Sequence, residues 1–181
     1  MNSKLEQFLH QREEFKEGKL GDILRRVIGV SPKFKRIYLG GAVESAKDFG
    51  SSWRSDLKKF LSEQNIDVVN PNDIENIEDT IFLQKKINKT KPEYILKMKQ
   101  VIKNDIDKLK RCDALIVYFD KNMLKKSSGT HGEATLAYVE YNIPVILILA
   151  NTTIQDVHGW LLGCTSKIFN NIQEFKDFVK S

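Results

Sequence analysis

Residues Asp113–Phe119 read DALIVYF, and residues Ile143–Ala150 read IPVILILA. A strand with one wet face would alternate apolar and polar positions; the first run is apolar almost without a break. Short runs of that kind, bounded by polar and turn-forming residues, indicate strands covered on both faces. Working outward, RIYLGGA (Arg36–Ala42) is a first strand running into glycines, and IDVVNP (Ile66–Pro71) is a second, stopped by its proline. DALIVYF is the third strand, IPVILILA the fourth, and SKIF (Ser166–Phe169) the fifth. The segments between them carry helical patterns. WRSDLKKFLSEQ (Trp53–Gln64) places Trp53, Leu57, Phe60 and Leu61 on one face. PEYILKMKQVIKNDIDKLKRC (Pro92–Cys112) has its proline in the first turn, where a missing N–H is harmless. Another helix follows SSGT (Ser127–Thr130), and Asn170 or Asn171 caps the last one, which runs through Val179. Strands alternating with helices predict a mostly parallel, five-stranded sheet in a single flavodoxin-like or Rossmann-like α/β domain.

That domain spans residues 33–181. Residues 4–28 read as helix, with Leu5, Phe8, Leu9 and Phe15 forming an apolar stripe that Gly18 and Gly21 interrupt. Residues 1–32 therefore form an N-terminal helical arm that precedes the first strand. The stretch from Asn72 to Lys91 shows no regular period and is assigned to no element.

At 181 residues, 41% of them apolar and 29% charged, the chain suits one soluble domain with a full core. The formal charge of +5 points to anions as partners, but the lysines are dispersed among acidic residues. No basic helix stripe, aromatic RNA-binding run or zinc-ligand spacing is present, which weighs against nucleic acid and metal. Cys112 and Cys164 lie in separate apolar contexts, as buried free thiols do in a reducing compartment. The first residues are charged throughout, and no apolar run approaches the roughly 20 residues of a membrane span. The expectation is a cytoplasmic protein with no membrane partner.

In a parallel sheet of this kind, ligands bind beyond the carboxyl ends of the strands, where strand order reverses. Three loops meet that condition: LGGAVES after the first strand, NPND after the second, and FDKNMLKKSSGTHGE after the third. Gly40 and Gly41 permit close backbone approach but form no dinucleotide fingerprint. Ser128 and Gly129 stand at a helix start, which suits an anion such as phosphate, although Ser and Thr there also serve as ordinary caps. Glu133 has two readings. A carboxylate in the first helical turn complements the macrodipole. The same position at a crevice, near other carboxylates, is that of a reactive group. Asp113 falls at the amino edge of the sheet and reads as structural. Asp105 reaches the crevice only if its helix passes close by.

The ordered set IYLGGAVES, WRSDLKKFL, VVNP, NDIDKLKRCDALIVYFD and SSGTHGEATLAYVEYNIPVILI resembles the nucleoside 2-deoxyribosyltransferase family and the related deoxynucleoside-monophosphate N-glycosidases. The resemblance covers roughly residues 35–170. It implies that Glu133 is the nucleophile, Asp105 the carboxyl group that handles the proton of the base, and Tyr38 the hydroxyl that holds the nucleophile. It further implies substrate contacts at Gly40, Gly41, Ser128 and Gly129, no cofactor, and a homo-oligomer, dimeric or larger. Asp107 lies on another side of the helix from Asp105. Arg54 is either structural or a phosphate ligand, and His131, unusual in this motif, is either a substrate contact or a helix-surface residue. Trp53 reads as core. The small-molecule partner is a nucleoside or nucleotide. Alternatives are a phosphoribohydrolase of the cytokinin-activating type, against which the missing P-G-G counts, an enzyme cleaving the nicotinamide bond of NAD, and a nucleotide-binding module without turnover.

Overall fold

The computed structural model describes residues 34–41, 50–73, 77–120 and 128–181. The expected helical arm, and the loop residues 42–49 and 121–127, lie outside them. Five strands, β1 (Arg36–Gly40), β2 (Asp67–Val69), β3 (Ala114–Asp120), β4 (Val145–Ala150) and β5 (Thr165–Phe169), form one sheet in the order β2-β1-β3-β4-β5. Every pairing is parallel. The order reverses between β1 and β3, so the ligand-binding edge of such a fold lies beyond Gly40 and Asp120.

Helices α1 (Ser51–Glu63) and α6 (Ile172–Lys180) cover one face. Helices α3 (Pro92–Leu109), α4 (Ser128–Val139) and α5 (Gly159–Cys164) cover the other, and the eight-residue α2 (Ile77–Gln84) contacts α3. Alternate strand residues feed the two cores. Ile37, Leu39, Ile116, Ile146 and Ile148 meet Leu57, Leu61 and Phe175 on the α1 side. Tyr38, Leu115, Val117, Leu147 and Leu149 meet Leu109, Ala134, Ala137 and Leu161 on the α4 side. Ala114 to Val117 are at most 1% exposed, as an unbroken apolar strand between two helix layers requires.

Local chemistry closes the units. Asn65 and Asn142 take positive φ values, 60° and 52°, where α1 and α4 end, a conformation asparagine tolerates better than most residues. Gly50, with φ 69°, precedes α1 in the same left-handed region, where a Cβ would be strained. Asn171 caps α6 through a bond from the Glu174 N–H at 2.9 Å. Asp113 is structural, as expected: its Oδ2 accepts from the N–H groups of Lys35 and Arg36 at 2.7 and 2.8 Å and fastens the start of β1 to β3. Cys112 and Cys164 are buried free thiols, and burial pushes the Cys112 thiol up to about 11.

Three elements depart from the sequence reading. The irregular stretch 72–91 contains α2 flanked by two short 3-10 turns, which are too brief to show a period. The segment between the fourth and fifth strands, to which the sequence reading assigns no helix, holds the six-residue α5. Helix α4 begins at Ser128 rather than near Thr130, which places Glu133 beyond the first turn. The helix-dipole account of Glu133 weakens accordingly, because that effect fades after one turn.

Candidate active site

The site is assembled by three elements that meet beyond the end of β1. Tyr38 lies at the centre of β1, paired between Val69 and Leu115, and is fully buried on the α4 side. The inward residues of α4, Ala134 and Ala137, are small and wholly buried in the core that also holds Tyr38. Glu133, next to Ala134, reaches β1, and the Tyr38 hydroxyl donates to its Oε1 at 3.0 Å. Its other oxygen lies against Gly40: a Cβ there would sit 3.3 Å from Oε2, 2.9 Å from the Leu115 Cδ1 and 3.4 Å from the Ile116 carbonyl. Gly40 is therefore required by close approach to the carboxylate as well as to the neighbouring strand.

Asp105 comes from α3. Its side chain is 16% exposed, with Lys108 Nζ 3.7 Å from Oδ1, and its charge acts on both Tyr38 and Glu133. The helix does pass near the crevice, which periodicity alone left open. Asp107 faces elsewhere, half exposed and 3.6 Å from Lys110.

The electrostatics follow from this arrangement. Loss of water around the Glu133 carboxylate, and then the Asp105 charge, raise its pKa from the usual 4.5 to about 7. The Tyr38 hydrogen bond and the Arg54 guanidinium oppose that rise. Tyr38 is held far above the ordinary phenol range by its own burial and by the two carboxylates, so it stays a proton donor. The arrangement supplies a carboxylate that is ionised in part near neutrality, a fixed donor on one of its oxygens, and a second carboxyl close by.

The remaining candidates occupy different positions. Ser128 and Gly129 are exposed in the first turn of α4, and no protein atom crowds Gly129. The Gly41 carbonyl accepts from Arg54 Nη2 at 2.8 Å. Arg54 itself is wholly buried, with further donors on the Gly50 and Leu39 carbonyls, so of its two readings the geometry favours the structural one. Trp53 is half-buried and stacked on Tyr118. His131 is half-buried on α4, its ring edge-on to that of His158 at 5.7 Å. The exposed Trp160 donates from Nε1 to Thr135 Oγ1 at 2.7 Å, and Thr135 donates in turn to the His131 carbonyl. No spacing in the sequence announces the His131–His158 contact, because α5 brings it from a separate loop. Among the described residues no group of three or more His, Cys, Asp or Glu could hold a metal ion, and no helix is long and apolar enough to cross a membrane.

No protein-family model matches the sequence, and the comparison with curated proteins finds no match. The class defined by the fold is nonetheless clear: a five-stranded parallel sheet in the flavodoxin-like order, with a carboxylate site at its switch point. Particular solved structures share that fold. A 2-deoxyribosyltransferase from Bacillus psychrosaccharolyticus superposes with a TM-score of 0.58 over 78% of this chain and 90% of its own, at 18% identity. A conserved protein from Enterococcus faecalis does so with 0.56, over 81% and 97%, at 15% identity. A CMP N-glycosidase from Clostridium botulinum matches with 0.48, over 81% and 100%, at 21% identity. At such identities the likeness to the first two is one of fold alone, and it meets the fold that the sequence motifs implied.

Proposed function

We propose that this chain cleaves or transfers the N-glycosidic bond of 2-deoxyribonucleosides or their 5′-monophosphates. The observation that carries this reading is the Glu133 carboxylate at the switch point, held by Tyr38 and within the field of Asp105. The likeness in fold to a 2-deoxyribosyltransferase supports it.

The chemistry uses these groups in order. A Glu133 oxygen bonds to the anomeric carbon as the bond from that carbon to the base nitrogen breaks. The electron pair of the broken bond goes to the base, which takes a proton from the Asp105 carboxyl. The resulting glycosyl ester is opened by the nitrogen of a second base or by water, and the acceptor's proton returns to Asp105. Tyr38 orients the carboxylate before attack and steadies it when it leaves. For the pair to act as one nucleophile and one acid, the proton that Glu133 gives up must reside on Asp105 when the substrate is bound. Ser128 and Gly129 would meet the sugar or its phosphate at the start of α4, and Gly40 and Gly41 would admit the ligand close to the backbone. His131 is a further candidate contact from the α5 side.

The deciding experiment is chromatography of a panel of deoxynucleosides and deoxynucleotides, with and without an acceptor base. Free base in the absence of acceptor means hydrolysis, and a new nucleoside in its presence means transfer. Tight binding across the panel with no base released would replace this reading by that of a binding module.

Two substitutions test the roles. Tyr38→Phe removes a hydrogen bond to a charged group and is expected to slow base release roughly 10- to 100-fold in a folded protein. An unchanged rate takes Tyr38 out of the scheme. Asp105→Asn is expected to slow release about 100-fold for bases that need a proton to depart. It also removes a like charge, so the Glu133 midpoint, followed by carbon-13 NMR, falls from about 7. A midpoint that stays put, or moves upward, contradicts the placement of Asp105 beside Glu133.

A further inference from the structure

Arg54 heads the large side chains wholly withdrawn from solvent among the described residues, yet it sits on the face of the sheet opposite Glu133. It reaches the end of β1 from that side. Nη2 donates to the Gly41 carbonyl at 2.8 Å, Nη1 to the Gly50 carbonyl at 3.1 Å, and Nε toward the Leu39 carbonyl at 3.5 Å. Trp53 covers the guanidinium at 4.5 Å and is itself stacked on Tyr118, with ring centroids 4.6 Å apart and planes 10° from parallel. One planar cation thus grips the carbonyls on either side of Gly40, the residue whose missing Cβ would meet the second oxygen of Glu133 at 3.3 Å.

We propose that Arg54 is a positioning residue for Glu133: from behind the sheet it fixes the end of β1 on which Tyr38 and Gly40 meet the carboxylate, and it supplies that carboxylate with a buried positive charge. The proposal rests on Glu133 as the reactive group. The charge works against the two influences that raise the Glu133 pKa, desolvation and Asp105, and it acts alongside the Tyr38 hydrogen bond. A carboxylate that must be ionised to attack is thereby kept ionised closer to neutrality.

The first test uses the unaltered protein. Nitrogen-15 NMR of the Arg54 side chain across pH 5 to 9 should show an inflection near the Glu133 midpoint of about 7, and Glu133→Gln should abolish it. A flat Arg54 response overturns the proposal. In the second test, Glu133 is followed by carbon-13 NMR in two variants. Arg54→Gln should raise its midpoint by roughly half a pH unit or more, while Arg54→Lys, which keeps the charge, should shift it less. Both should speed amide exchange at Leu39–Gly41 at least roughly tenfold while leaving β4 unchanged, and lower kcat roughly 10- to 100-fold through misplacement. Equal midpoints in both variants and unaltered exchange at Leu39–Gly41 also overturn it. If Glu133→Gln still releases base while Arg54 and Glu133 titrate together, the catalytic reading fails and the coupling stands. If Glu133→Gln is inactive and Arg54 shows no inflection, only the coupling fails.

Discussion

Glu133→Ala is expected to lower base release by about 10³-fold or more for every substrate the protein turns over. Two features argue for a loss of that size. The carboxylate is the group near the switch point that has one oxygen held by the Tyr38 hydroxyl and the other beside the space that a Gly40 side chain would fill. It is also the group whose surroundings set its charge state near neutrality. Truncation removes the atom that bonds to the sugar, and neither Tyr38 nor Asp105 can stand in for it. The measurement is initial-rate chromatography of released base, paired with mass spectrometry of acid-quenched enzyme. A deoxyribosyl adduct on Glu133 in the unaltered protein, absent from the variant, is the expected accompaniment. Base release at the wild-type rate in a folded Glu133→Ala protein would remove the covalent mechanism altogether.

The second large effect is on stability and has the opposite sign. In the folded protein Glu133 takes up its proton at about 7, against 4.5 for the ordinary side chain. Between those values the folded state holds more proton than the unfolded one, so stability contributed at this position falls as pH rises from 4.5 to 7. Above 7 the loss is complete. Glu133→Gln keeps the shape and an acceptor for the Tyr38 hydroxyl but has no charge to desolvate. It should therefore match the parent near pH 4.5 and exceed it by about 2–3 kcal/mol at pH 8, a figure reduced somewhat for the carboxylate's partial exposure. Denaturant unfolding of the two proteins at both pH values checks this. A variant less stable than its parent at pH 8 would show that the ionised form is the better accommodated one. Activity and stability thus pull in opposite directions at the same atom pair.

The sequence makes the strands legible because buried parallel strands are nearly pure apolar runs, and β3 and β4 could hardly be read otherwise. It also exposes Glu133 and Tyr38, which lie inside motifs. What it hides depends on three-dimensional placement. Asp105 and Asp107 are two residues apart with the same side chain, and only the packing of α3 decides that the first faces Tyr38 while the second pairs with Lys110. From the sequence Arg54 is either structural or a phosphate ligand, with nothing to choose between them. Its burial comes from carbonyls at the end of β1, which no periodicity reports. Helices α2 and α5, eight and six residues long, are too short for a period to emerge. Ser128 and Gly129 are poor helix formers, so the sequence places the start of α4 near Thr130 rather than at Ser128.

The fit of Glu133 against the end of β1 has its own consequence. Gly40 carries no side chain, and the space a Cβ would take there is bounded by the Glu133 carboxylate. A carboxylate on a flexible side chain yields to an added methyl group only by tilting away from its phenol partner. The placement of the carboxylate thus depends on what is missing, a single methyl group on β1, and Gly40→Ala would disturb it while leaving every acid in the chain unchanged.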